Sequence, residues 1–116
     1  MAWELDYTLV IDWLDALDES SRFQVLAAGE ALALYGPNLG RPLVDTVKAS
    51  RHKNMKELRP GSTGRTELRI LFAFDPQRQA IFLVAGDKSG DWKKWYDKNI
   101  PLADQLFDEH LKGLTP

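Results

Sequence analysis

The sequence predicts an α+β fold: an N-terminal helical hairpin packed on a small twisted antiparallel sheet, with one or two short C-terminal helices. Three observations predict it. Apolar residues recur at helical spacing over the first 35 positions. Short apolar runs with strand alternation and turn residues then occupy positions 55–86. A helical stripe returns after Pro101. Runs of helices followed by runs of strands segregate helix from sheet, hence α+β rather than alternating α/β.

A short strand can open the chain. From Asp6 to Asp18, residues Leu9, Val10, Trp13, Leu14 and Leu17 form the i, i+3/i+4, i+7 stripe of an amphipathic helix. A second helix begins at Ser20 or Ser21, either of which can cap free N–H groups. It runs through FQVLAAGEALALY and stops at Gly36-Pro37. GPNLGRPL (36–43) is loop chemistry, and VDTVKASRHKN (44–54) is a polar, irregular crossing with a short strand. MKELR (55–59) is a short strand ended by Pro60-Gly61 and the turn-rich STG. Leu68, Ile70, Phe72 and Phe74 alternate with Arg69, Leu71 and Ala73, so both faces of that strand are apolar beyond Arg69 and both are covered. DPQRQ (75–79) connects it to the returning strand AIFLVAG (80–86). In GDKSGDWKKWYDK (86–98), Trp92, Trp95 and Tyr96 share one helical face, Asp91 can cap, and Lys93 and Lys94 point elsewhere. Pro101 opens the last helix, LADQLFDEHL.

With 116 residues, 44% hydrophobic and 28% charged, the chain is read as one domain spanning 1–116 with a single modest core. It has no cysteine, which excludes disulfides and thiolate metal sites, and two histidines are too few for a common zinc site. No run of eighteen apolar residues occurs and the start is acidic, so the expectation is a cytoplasmic protein without metal, cofactor or membrane span. The net charge of −2 hides an asymmetry: residues 1–40 carry −6, 41–98 carry +6 and 99–116 carry −2. A basic face in the middle segment and an acidic face elsewhere follow from it.

Three basic clusters lie in that segment: Arg51-His52-Lys53 with Lys56 and Arg59; Arg65 with Arg69; and Lys88, Lys93, Lys94 with Lys98. Arg69 interrupts an apolar strand, so its guanidinium sits at the rim of the sheet and needs an anion, either Glu67 or a phosphate. Such a set suits RNA cleavage without metal. A base takes the 2′-hydroxyl proton, cations hold the phosphoryl charge and an acid protonates the leaving oxygen. His52, Lys56, Arg69, Lys88, Lys94 and Tyr96 are the groups on offer, with aromatics free to stack on bases. The tryptophans, at helical spacing, anchor their segment to a core.

Beyond these patterns, LGRPL (39–43), KELR (56–59), RILFAFD (69–75) and GDK (86–88) followed by WYDK resemble the phage-derived, HigB-like branch of the RelE/ParE toxin superfamily. The likeness runs from WLDALD (13–18) to the C-terminal helix. It implies a RelE-like fold and the toxin of a type II toxin–antitoxin pair. Relatives of this kind cut mRNA in the ribosomal A site without metal and are neutralised by a helix-turn-helix antitoxin. ParE-type relatives instead inhibit DNA gyrase by contact, and a toxin-derived phage protein that has lost activity is the remaining alternative. By resemblance Arg69 holds the scissile phosphate, Lys56 and Arg59 are basic residues of the preceding strand, and Lys88 follows the last long strand. Tyr96 matches the family's tyrosine near the C-terminal end. From the residues themselves, Tyr96 or His52 is the candidate for proton transfer, with either able to stack on a base instead. Arg51, Lys53, Arg65, Lys93, Lys94 and Trp95 are the candidate RNA contacts. The pI of about 5.6 departs from the basic character common among RelE-type toxins.

Overall fold

The computed structural model describes residues 2–61 and 64–114; Ser62 and Thr63 of the expected STG turn lie outside them. In chain order the elements are β1 (Glu4–Asp6), a 3-10 turn (Thr8–Val10), α1 (Ile11–Ala16), α2 (Glu19–Tyr35), a second 3-10 turn (Gly36–Asn38), β2 (Val44–Thr46), β3 (Met55–Leu58), β4 (Leu68–Phe74), β5 (Gln79–Asp87) and α3 (Trp92–Gly113). The strands form one sheet in the order β1-β5-β4-β3-β2.

The helical hairpin forms where the apolar stripe predicts it, with two differences. Glu4–Asp6 leaves the helix and pairs in parallel with β5, Leu5 opposite Ala80, which makes the sheet mixed rather than antiparallel throughout. Three residues are too few to show strand alternation in sequence. The cap of α2 is Asp18, whose carboxylate accepts from the Ser21 N–H at 3.1 Å, so Ser20 and Ser21 fall inside the first turn. Arg22 closes the hairpin by donating to the carbonyls of Leu14, Asp15 and Leu17. Gly36 ends α2 with φ of 55°, and a Cβ there would meet the Trp3 indole.

β4 is buried at every residue, and its two faces belong to two cores. Ile70, Phe72 and Phe74 join Val10, Leu14, Val25 and Leu32 beneath the hairpin. Leu71 and Ala73 join Ile81, Leu83, Ile100, Ala103 and Phe107 beneath α3. Helices therefore cover both faces of the sheet, as the doubly apolar β4 requires. The two short C-terminal helices are one helix of 22 residues with Pro101 inside it. A proline cannot donate to the carbonyl four residues back. Burial of Ile100, Ala103 and Phe107 on either side of it holds the helix together regardless. Among the described residues no helix is long and apolar enough to cross a membrane.

Candidate functional site

Strand alternation sends Arg69 to the face shared by Leu71 and Ala73, under the first turns of α3. It is 8% exposed. One guanidinium nitrogen, Nη1, donates to the Leu68 carbonyl at 2.8 Å. Its Nε–H is buried without a hydrogen-bond partner, and among the described residues Arg69 forms no ion pair. A desolvated cation with an open donor is costly unless something anionic completes it. Glu67, the expected protein partner, instead lies 3.9 Å from Lys88 Nζ.

Three elements converge on this guanidinium. Across the ladder Arg69 pairs with Gly86 of β5, where a Cβ would fall 2.6 Å from Trp95 Nε1; the glycine is what lets the indole close over the strand. From α3, Tyr96 donates its phenolic hydrogen to Glu57 Oε2 at 2.6 Å. Glu57 is 8% exposed and reaches the site from β3, where it faces α3 together with Met55. Burial, then the Glu57 hydrogen bond and charge, push the Tyr96 phenol up to about 12, while the neighbouring Arg69 acts in the opposite sense. Arg59 Nε stands 3.8 Å from the other Glu57 oxygen. Lys88 Nζ lies 5.7 Å from the centre of the Tyr96 ring. Trp95 meets Tyr96 edge-on at 5.2 Å, and exposed Trp92 does so at 6.5 Å. A cleft of about 350 Å³ between β2 and α3 leads to the Glu57–Tyr96 pair past Arg41, Thr46 and Lys48.

Arg69, Arg59, Lys88, Tyr96 and Trp95 are thus brought together. The other seven site residues singled out in the sequence are not with them. Lys56 alternates with Glu57 onto the opposite sheet face, where its Nζ donates to Thr46 Oγ1 at 3.0 Å. It lines a second cleft, about 530 Å³, with Trp3, His52, Lys53 and Phe74. His52 Nε2 is 2.8 Å from Asp108 Oδ1 and its ring stands edge-on to Phe107. Arg51 binds the same carboxylate with both guanidinium Nη atoms, which with His52 holds Asp108 down at about 2. These contacts tie the 47–54 loop to α3. Arg65 is exposed beside the undescribed pair 62–63. Lys93 and Lys94 are exposed on the first turn of α3, Lys94 in a separate cleft with Asp87 and Asp91.

Glu57 stands outside the residues the sequence singled out. In KELR it reads as one charge among three. The available signal is its parity with Met55 on a strand whose neighbour, β4, is apolar on that face.

The phage-derived, Gp49-like family profile matches residues 12–108 of this chain. Two proteins of Mycobacterium tuberculosis (strain ATCC 25618 / H37Rv) are similar to it. The candidate toxin HigB2 is 59% identical over 111 residues, 96% of this chain and 55% of that protein. The candidate toxin HigB3 is 56% identical over 99 residues, 85% of this chain and 84% of that protein. The chain therefore spans about half the length of the HigB2 relative. Among solved structures, a double arginine-to-alanine variant of the E. coli toxin RelE in the free state superposes over 99% of this chain and 100% of its own. The TM-score is 0.59 at 11% identity, which shows a shared fold.

Proposed function

The chain belongs to the phage-derived Gp49-like family, and on that premise we propose that it is the toxin of a type II toxin–antitoxin pair, an endoribonuclease that cuts mRNA around Arg69. The observation that carries this reading is the buried Arg69 Nε–H, open beside the Glu57–Tyr96 pair. A scissile phosphate supplies the missing acceptor and the compensating charge in one group.

The chemistry follows from the groups around it. Glu57 takes the proton of the ribose 2′-hydroxyl as that oxygen bonds to phosphorus. Arg69, with Arg59 and Lys88 nearby, holds the charge that builds on the non-bridging oxygens. The bond from phosphorus to the 5′-oxygen breaks, and Tyr96, still protonated because its phenol titrates near 12, gives that oxygen its hydrogen. A 2′,3′-cyclic phosphate and a 5′-hydroxyl result. The proton held by Glu57 returns to Tyr96 along the 2.6 Å hydrogen bond that joins them. The aromatic set of Trp92 and Trp95 supplies faces for unstacked bases. The substrate is mRNA in the ribosomal A site, and a helix-turn-helix antitoxin restrains the protein.

Cleavage-site mapping on mRNA with and without ribosomes tests the reading. The expected result is cut mRNA with 5′-hydroxyl ends for the native chain and none for Arg69→Ala at equal folded concentration. Inhibition of gyrase supercoiling without mRNA cleavage, or full cleavage by Arg69→Ala, overturns it.

A further inference from the structure

The α2 helix is apolar on two sides, and the fold uses one. Val25, Ala28 and Leu32 are in the core, whereas Phe23 and Leu34 are each 68% exposed and Leu26 is 41% exposed. Positions 23, 26 and 34 fall on one helical stripe, which also carries exposed Glu19 and Glu30, each four residues before an apolar member. Of the eight large hydrophobic residues that are exposed among the described residues, six lie within residues 9–35. A helix hydrophobic all round is ordinarily covered on all sides, and a concentrated exposed patch marks a contact surface.

The charges say what covers it. Residues 1–40 contain seven acids and one basic residue, Arg22, and that guanidinium is committed to three carbonyls at the α1–α2 junction. A second copy docked face to face would bring further carboxylates and no cation to meet them. We propose that this stripe is the docking site for a basic amphipathic helix of a different protein. Its apolar ridge covers Phe23, Leu26 and Leu34, and its Lys or Arg side chains pair with Glu19 and Glu30. The site lies under the opposite sheet face from Arg69, because α2 packs on the Ile70/Phe72 side and Arg69 opens toward α3. A helix bound there leaves the Glu57–Tyr96 cleft uncovered. The inference needs no RNA chemistry; where the toxin–antitoxin reading holds, the antitoxin is the natural bearer of such a helix.

The test is a display library of helical peptides of about four turns, with a fixed leucine ridge and randomised flanks, selected against the full chain. Flanks rich in Lys and Arg are expected to win over acidic flanks by about tenfold or more. Phe23→Ser with Leu34→Ser removes binding while mRNA cleavage persists, and Glu30→Lys shifts the preference toward acidic flanks. The charge reversal keeps the proposal testable if the apolar double variant fails to fold. No enrichment, enrichment indifferent to flank charge, or a dimer in sedimentation that Phe23→Ser disperses overturns it. Since cleavage is read in the same variants, loss of cleavage activity in the native chain counts against the ribonuclease reading and leaves this surface to be judged on its own data.

Discussion

Arg69 was legible in the sequence and Glu57 was not, for one reason seen from two sides. A guanidinium inside an otherwise apolar strand is an exception that pattern reading detects. A carboxylate in a stretch of charges is not, although both are equally buried. The pair that Glu57 makes with Tyr96 has two measurable consequences. If Glu57 takes the 2′-hydroxyl proton, Glu57→Gln slows cleavage by about a hundred- to ten-thousand-fold. Single-turnover rates on ribosome-bound mRNA check this, and an unchanged rate assigns the proton elsewhere. The second consequence is on stability. The Tyr96 phenol titrates near 12 when folded and near 10 in the unfolded chain, so between those values the folded state holds the extra proton. Stability is therefore complete below about pH 10 and declines as pH rises toward about 12. Tyr96→Phe is expected to make that alkaline decline shallower, leaving the part that buried Tyr7, also pushed up on folding, contributes; urea midpoints from neutral pH upward measure it. It also withdraws the Tyr96 donor from buried Glu57, costing about 1–3 kcal/mol at neutral pH.

The elements were readable where one periodicity governed them and unreadable where tertiary packing overrode a local signal. Pro101 reads as a helix start, yet the burial of Ile100, Ala103 and Phe107 runs the helix straight through it. Its two ends do separate jobs. At the N-terminal end, Asp91 caps through the Lys94 N–H at 3.1 Å and Trp95 fills the space left by Gly86. Gly86→Ala should push the indole off β5 and cost about 1–3 kcal/mol, read from urea denaturation with m unchanged. At the C-terminal end, Asp104 accepts from Ser50 and from the Arg51 N–H, and Asp108 binds Arg51 and His52. The Arg51 guanidinium, with His52, depresses Asp108 to about 2. A depressed carboxylate contributes stability that is present above its ordinary value and lost as pH falls through its folded value. Melting temperature should fall between about pH 4 and pH 2 in the native chain, and less steeply in Asp108→Asn. His52, paired with Asp108 and edge-on to Phe107, belongs to the same loop anchor.

At the scale of the whole molecule, the α+β class was legible because helical and strand periods occupy separate stretches of chain. The parallel β1 strand was not, being three residues long. The charge asymmetry was legible too, and the fold gives it direction: the −6 segment forms the hairpin on one sheet face, while Arg59, Arg69 and Lys88 gather on the other side. Acidic helices repel a polyanion and so orient it toward the basic side. Lys53 and Lys56 line the other cleft, with Trp3 and Phe74, apart from the one that reaches Glu57 and Tyr96. On a single strand each neutralised phosphate steepens the fall of log K with log salt by about 0.7. Three phosphate contacts at Arg59, Arg69 and Lys88 therefore give a slope of about −2. Fluorescence anisotropy of a short labelled RNA with the slow-cleaving Glu57→Gln chain, from about 50 to 200 mM salt, measures it. Lys88→Gln should bring the slope to about −1.4, and Lys53→Gln should leave it unchanged. The reverse outcome, a slope that responds to Lys53 and ignores Lys88, would route the RNA through the Trp3–Lys56 cleft and separate binding from the Arg69 site.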